Sequence, residues 1–189
     1  MKKEDELVLC IPNIGIDGFA KTEVSYENAT FLRRGDVENN PTYHQIIPYI
    51  VIRNSKGEIL TYRRGTTGGE DRLHNLYSIG IGGHINNEDF EGDFHATIEN
   101  AIVREVKEEL NLDLDKDFEY LQHIGWFACN ATEVDRVHLA KLYILQISDD
   151  AISKIFGEED VIEKIQFLHP DKVKELNLEN WAKIALEAI

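Results

Sequence analysis

Arg104-Glu105-Val106-Lys107-Glu108-Glu109-Leu110 sets three carboxylates and two cations within seven residues. Phe94, Ile98, Ile102, Val106 and Leu110 recur around it at helical spacing, so the stretch predicts an amphipathic helix. With Glu105 at 0° on a wheel of about 100° per residue, Glu109 falls near ~40° and Glu108 near ~300°, while the apolar stripe centres at roughly 60–80°. Two carboxylates thus run along the edge of the buried face, and Arg104 and Lys107 point away from it. Negative charges crowded at a core margin repel one another and lose hydration, which is costly unless a cation joins them. A hard divalent ion meets that need, because carboxylate oxygens are its preferred ligands. A solvated acidic face is the plain alternative, and what precedes the helix decides between the two.

Upstream stands Ser78-Ile79-Gly80-Ile81-Gly82-Gly83-His84-Ile85. Glycines so spaced let the backbone approach a ligand or another segment closely. Alone, the run reads equally well as a strand bulge or tight turn. Followed about twenty residues later by Arg104-Glu105-Val106-Lys107-Glu108-Glu109, it resembles the box of the Nudix hydrolases. That box runs from a glycine through a glutamate to Arg-Glu-aliphatic-x-Glu-Glu-x-Gly-aliphatic. Gly83 matches its start, and Arg104, Glu105, Val106, Glu108, Glu109 and Leu112 match its second half. Asn111 stands where the family has its late glycine, a mild change because Asn also tolerates a left-handed helix end. The loop 86–95 reads as an insertion. Counting forward from Gly83 puts the early acid at Asp89, while counting back from Arg104 puts it at Ala96. The partner of Arg104 is therefore left among Glu88, Asp89, Glu91 and Asp93.

The resemblance implies a Nudix-like α/β/α sandwich with a mixed central sheet over residues 46–189, preceded by an extension at 1–45 forming a lid or small subdomain. It also implies Mg²⁺-dependent hydrolysis of a diphosphate bond in a nucleoside diphosphate derivative or similar small molecule, with Mn²⁺ able to substitute. Glu105 and Glu109 would ligate the metal, Glu108 would assist, and the Gly83 carbonyl would add a ligand. Helical spacing agrees, since oxygens at i and i+4 meet on one flank. The general base is Glu105, acting directly or through water, or an acid of a remote loop, with Glu133 and Asp135 the candidates. Phosphates not held by metal need cations. Arg63 and Arg64 are adjacent on one strand, so they face opposite sides of the sheet. Arg72 and His84 complete the candidate substrate contacts, with His74 and Lys141 behind them. His138, in an apolar strand, reads as a satisfied core histidine. Two other functions share the fold: a catalytically silent nucleotide or sugar-nucleotide sensor, and isopentenyl-diphosphate isomerase. The intact Glu105, Glu108 and Glu109 weigh against a sensor. The isomerase needs a cysteine at its site, for which Cys129 is the candidate, and its neighbours Phe127-Ala128-Cys129-Asn130 do not resemble the isomerase motif.

Composition narrows the partners. A formal charge of −15 over 189 residues disfavours a nucleic-acid backbone or an anionic membrane as a surface-wide partner. It leaves room for a small diphosphate whose charge is shielded locally. Two cysteines, Cys10 and Cys129, read as buried thiols of a reducing interior. With no secretory segment and no apolar run of about eighteen residues or more, the expected compartment is the cytoplasm, and a homodimer is the family-based expectation.

The remaining pattern predicts a strand at 7–11 and a loop-rich stretch to about residue 44. A hairpin follows over 46–53 and 58–64, then a connection at 66–69 and a strand near 76–81. After the acidic helix come strands at 120–129, 137–147 and 162–168, and a closing helix at 178–189.

Overall fold

The computed structural model describes residues 2–65, 73–156 and 162–189. The connection at 66–69 and Arg72 lie outside these. Ten strands pair into one mixed sheet among the described residues: β1 (Leu7–Pro12), β2 (Gly18–Ala20), β3 (Thr30–Arg33), β4 (Tyr43–Arg53), β5 (Ile59–Arg64), β6 (Tyr77–Ser78), β7 (Gly80–Ile81), β8 (Phe118–Ala128), β9 (His138–Ile147) and β10 (Ile162–Leu168). The helices are α1 (Arg34–Val37), α2 (Phe94–Leu110), α3 (Leu114–Asp117), α4 (Asp149–Ile152), α5 (Pro170–Val173) and α6 (Asn180–Ala188).

The centre of the sheet is β4, parallel to β9 from Gln45↔His138 to Arg53↔Gln146. Parallel strands of this kind are buried on both faces, and all nine inner residues of β4 are buried. Successive side chains serve different cores. Ile46, Ile50 and Ile52 meet Ile98, Ala101, Ile102, Val106 and Leu110 of α2 on one side. Tyr49 and Val51 meet Ala182 and Ala185 of α6 on the other. Helix, sheet and helix thus form the α/β/α sandwich that the family resemblance implied.

Local chemistry fixes the ends of α2. The Asp93 side chain accepts from the Ala96 amide at 3.1 Å, satisfying an orphan donor of the first turn. Asn111 ends the helix in the left-handed region, φ 57°, with its amide bonded to Lys107 O. The hairpin is shorter in pairing than its sequence implies: β4 and β5 meet only at Arg53↔Ile59. Beyond that point β7 takes the β4 edge at Ile50 and Val51, and β5 turns to β6 and β10. The strand expected near 76–81 is accordingly divided in two, with Ile79 between β6 and β7.

The loop-rich N-terminal stretch carries three of the strands. β1 pairs with β3 and with the start of β4, and β2 pairs with the end of β8. A boundary at 45/46 falls inside β4. No helix among the described residues is long and apolar enough to cross a membrane.

Lys141, on the α2 side of β9, is 6 % exposed. Its Nζ lies 5.5 Å from the ring centroid of Tyr26, 5.3 Å from Trp126 and 5.5 Å from Tyr143, and it donates to Tyr26 Oη at 3.1 Å. No carboxylate pairs with it among the described residues. Burial pushes its pKa down to about 8 from 10.5, so the charged form opposes folding in full below about pH 8 and not at all above about pH 10.5. The three rings offset part of that cost. Lys141→Met, similar in length and uncharged, is expected to stabilise the fold by about 1–2 kcal/mol at neutral pH. Denaturant titrations should show the advantage shrinking as the pH is raised towards 10; an advantage that grows would refute this account.

Candidate active site

A cleft of about 930 Å³ opens beside the glycine turn and the flank of α2. Its walls come from distant parts of the chain: Lys3, Glu6, Arg34 and Glu38 from the N-terminal stretch, Arg64 from β5, Gly80, Gly82, Gly83 and His84 from the turn, Glu105 and Glu108 from α2, Asp135 and His138 near β9, and Glu179 and Trp181 at α6.

Glu105 is the buried carboxylate at its floor, 7 % exposed. Its place depends on Gly83, because a Cβ there would lie 2.5 Å from Glu105 Oε1. Only glycine allows the carboxylate to press against the turn. Arg104 Nη1 donates to Glu105 Oε1 at 2.6 Å and to Glu108 Oε2 at 3.3 Å. Glu105 Oε2 has no hydrogen-bond partner among the described residues. Burial raises the Glu105 pKa above the ordinary carboxylate value, and Arg104 opposes the shift.

Arg104 joins three parts of the site. It donates from Nε to Asp89 Oδ1 and from Nη2 to Asp89 Oδ2, both at 2.9 Å. Nη2 also donates to His84 O at 2.9 Å. Asp89 is held in turn by the Asn86 amide, which donates to Oδ2 at 2.8 Å. Of the four acids the sequence left open, Asp89 is therefore the partner, the one reached by counting forward from Gly83. The extra residues of the loop lie between Asp89 and α2.

His84 and His138 meet at the cleft, their ring centroids 5.2 Å apart. His138 Nδ1 meets Val134 O at 2.7 Å, which assigns that nitrogen as the donor because a carbonyl can only accept. His84 Nε2 lies 2.9 Å from Gln45 Oε1, to which it donates, and 3.2 Å from His138 Nε2. Burial, followed by the neighbouring His138, pushes His84 well below the ordinary imidazole range. His138 is buried and satisfied, as its strand implied, and it also lines the cleft.

Several candidates are placed differently from the sequence reading. Arg63 does not line the cleft. Alternation along β5 sends it to the other side of the sheet, where it pairs with Glu163 of β10. Arg64 is the one that reaches the cleft. Glu133 is exposed and is not among the lining residues, whereas Asp135 is 3 % exposed and is one of them. The 3₁₀ turn at Asp135–Val137 turns Asp135 inward, where it accepts from Trp181 Nε1 at 3.1 Å and from Thr132 Oγ1 at 2.7 Å. Glu108 is on the lip, its side chain 61 % exposed. Glu109 is half-buried on the flank near Tyr62, whose pKa it helps to raise. Cys129 is buried and does not line the cleft, so the isomerase reading lacks its thiol. Glu179 and Trp181 were not legible beforehand, since an acid and an aromatic at a helix start carry no local mark of a site.

Among the described residues, no three His, Cys, Asp or Glu side chains form a ready-made metal cage. The donors nevertheless suit a hard cation in kind: carboxylate oxygens of Glu105 and Glu108, one on each unpartnered among the described residues, beside a backbone held close by a glycine. Mg²⁺ is commonly held by one or two carboxylates and keeps several waters or substrate oxygens.

The NUDIX domain family matches residues 43–189. Protein YmaB of Bacillus subtilis (strain 168) is 31 % identical over 173 residues, covering 90 % of this chain and 81 % of its own. Among solved structures, Tm1382, assigned as a Nudix hydrolase, superposes with a TM-score of 0.74 at 26 % identity, covering 96 % of this chain and 97 % of its own. DR0079 of Deinococcus radiodurans shares the fold, with a TM-score of 0.57 at 18 % identity over 92 % of this chain and 98 % of its own. With the family match running from β4 to α6 and taking in α2 and the glycine turn, the chain belongs to the Nudix family and is a hydrolase of phosphorus-containing anhydrides of the pyrophosphate type.

Proposed function

We propose that the chain is a Mg²⁺-dependent hydrolase that cleaves the diphosphate bond of a nucleoside diphosphate derivative or similar small molecule. One observation carries the metal requirement. Among the described residues, six carboxylates (Glu6, Glu38, Glu105, Glu108, Asp135 and Glu179) line the cleft against three full cations (Lys3, Arg34 and Arg64). Two of those cations are already engaged: Arg34 pairs with Glu6 at 3.0 Å, and Arg64 with Glu179 at 3.0 Å. A diphosphate entering such a cleft would be repelled without further positive charge.

Glu105 and Glu109, with Glu108 and the Gly83 carbonyl, would hold the ion, which supplies neutralisation of phosphate oxygens and a more acidic water. Glu105 is buried, its pKa is raised, and one oxygen is unpartnered, so it is also suited to accept a proton. Arg64 offers guanidinium donors to phosphate oxygens, and neutral His84 adds a polar group without adding charge. Tyr49 and Trp181 give the wall an aromatic side against which a base or ring can pack.

The test is a screen of nucleoside triphosphates, ADP-ribose, sugar nucleotides, dinucleoside polyphosphates and prenyl diphosphates with Mg²⁺ or Mn²⁺, analysing the products. Metal-dependent release of a phosphate or nucleotide, abolished by EDTA, is expected. Tight binding of a nucleotide with no turnover would favour the silent sensor. Turnover unaffected by EDTA would refute the metal requirement.

A further inference from the structure

Glu179 precedes α6 as its N-cap and is 3 % exposed. Its amide donates to Tyr77 O at 3.0 Å, fastening the helix start to β6. Its carboxylate accepts from Arg64 Nε at 3.0 Å, more loosely from Arg64 Nη2 at 3.4 Å, and from Ser78 Oγ at 2.6 Å. Beneath the guanidinium lies the Tyr62 ring, with Arg64 Cζ 5.7 Å from its centroid. Arg64 Nη1 makes no hydrogen bond among the described residues, and the side chain remains 33 % exposed. The guanidinium is thus pinned along one edge and over one face, with its other edge free in the cleft that Arg64 and Glu179 both line.

Fastening α6 to the sheet does not by itself require charge. Apolar residues of similar volume commonly serve as well as a buried ion pair, or better. What the pair adds is a guanidinium whose long side chain is already ordered before an anion arrives. We propose that Glu179 is a positioning residue that, with Ser78, fixes Arg64 as an anion subsite for the non-bridging oxygens of the substrate's diphosphate. The inference rests on the diphosphate reading above and adds to it a residue that need not touch the substrate. A pre-ordered fork binds oxyanions better than a free one because less rotamer freedom is lost on binding.

The experiment measures binding of imidodiphosphate, a non-hydrolysable diphosphate, to the full chain in the presence of Mn²⁺ by calorimetry, and of Mn²⁺ alone. Glu179→Gln and Arg64→Ala are each expected to weaken imidodiphosphate binding by about five- to twentyfold, with Mn²⁺ affinity unchanged. The double variant should bind no more weakly than Arg64→Ala, because Glu179 acts through Arg64. Arg64→Lys, which keeps the charge but not the fork, should also bind more weakly than the parent. Should Glu179→Gln fold poorly, Ser78→Ala provides a second route to the same cycle, with an expected loss of about two- to threefold. Parent affinity in these variants, or an undiminished Glu179 effect in the Arg64→Ala background, would overturn the positioning role alone. A parent protein that binds no imidodiphosphate with Mn²⁺ would overturn the diphosphate reading, and this inference with it.

Discussion

Glu105→Gln is expected to lower metal-dependent hydrolysis by about a thousandfold or more while leaving the fold intact. The proposed ion would supply several kcal/mol of charge stabilisation, and each ~1.4 kcal/mol is a factor of ten in rate. Glutamine keeps the volume of Glu105 beside Gly83 but offers no anionic oxygen. Because burial raises the Glu105 pKa, its ionised form opposes folding at neutral pH when no metal is bound. Arg104 keeps two bonds to Asp89 without it. The metal-free variant should therefore melt no lower than the parent. Turnover of whichever compound the screen identifies, measured beside a thermal melt, separates these effects. Full activity in a folded variant would remove Glu105 from the mechanism.

Asp89→Ala should have the largest effect on stability, about 2–3 kcal/mol and roughly 4–12 °C in melting temperature for a chain of this size. The Asp89 side chain is 6 % exposed and that of Arg104 is 27 % exposed. Removing the carboxylate strands two guanidinium donors and the Asn86 amide in a partly buried place. The freed guanidinium would also be drawn towards Glu105 and Glu108, where it competes with a cation, so metal affinity should fall as well. Glu88→Ala and Glu91→Ala, altering acids of the same loop with no bond to Arg104, should stay within about 0.5 kcal/mol of the parent. Equal melting of all three variants would show that the Asp89 pair does not hold the loop to α2.

Both predictions concern α2, the best-read part of the sequence, and they differ in how far they could be foreseen. The apolar stripe placed Glu105 at the margin of the core, and Ile98, Ile102, Val106 and Leu110 are all fully buried. Asn111 was expected to tolerate a left-handed end, and it adopts one. These are local matters, set by a repeat of about 3.6 residues and by the geometry of one residue. The partner of Arg104 was narrowed to four acids and no further, because the loop between the glycine turn and α2 has no fixed period to count along.

Contacts across the sheet were harder still. Alternation showed that Arg63 and Arg64 must diverge, but not which way. That depended on Glu163 arriving on β10 and Glu179 at the start of α6, each about one hundred residues or more away in sequence. Asp135 and Glu133 stand two apart in a loop with no regular repeat, so only the 3₁₀ turn that directs Asp135 inward distinguishes them. The strands from residues 7–33 escaped notice except β1, since pairing partners rather than internal pattern define strands as short as β2 and β3.

Sequence alone thus determined the family, the acidic helix and the glycine that must face it, because each is written in spacings within one stretch of chain. Tertiary structure decided which acid holds Arg104, which arginine reaches the cleft and which distant residues wall it. Those depend on strand register and on how the sheet brings remote segments together, neither of which any single stretch encodes.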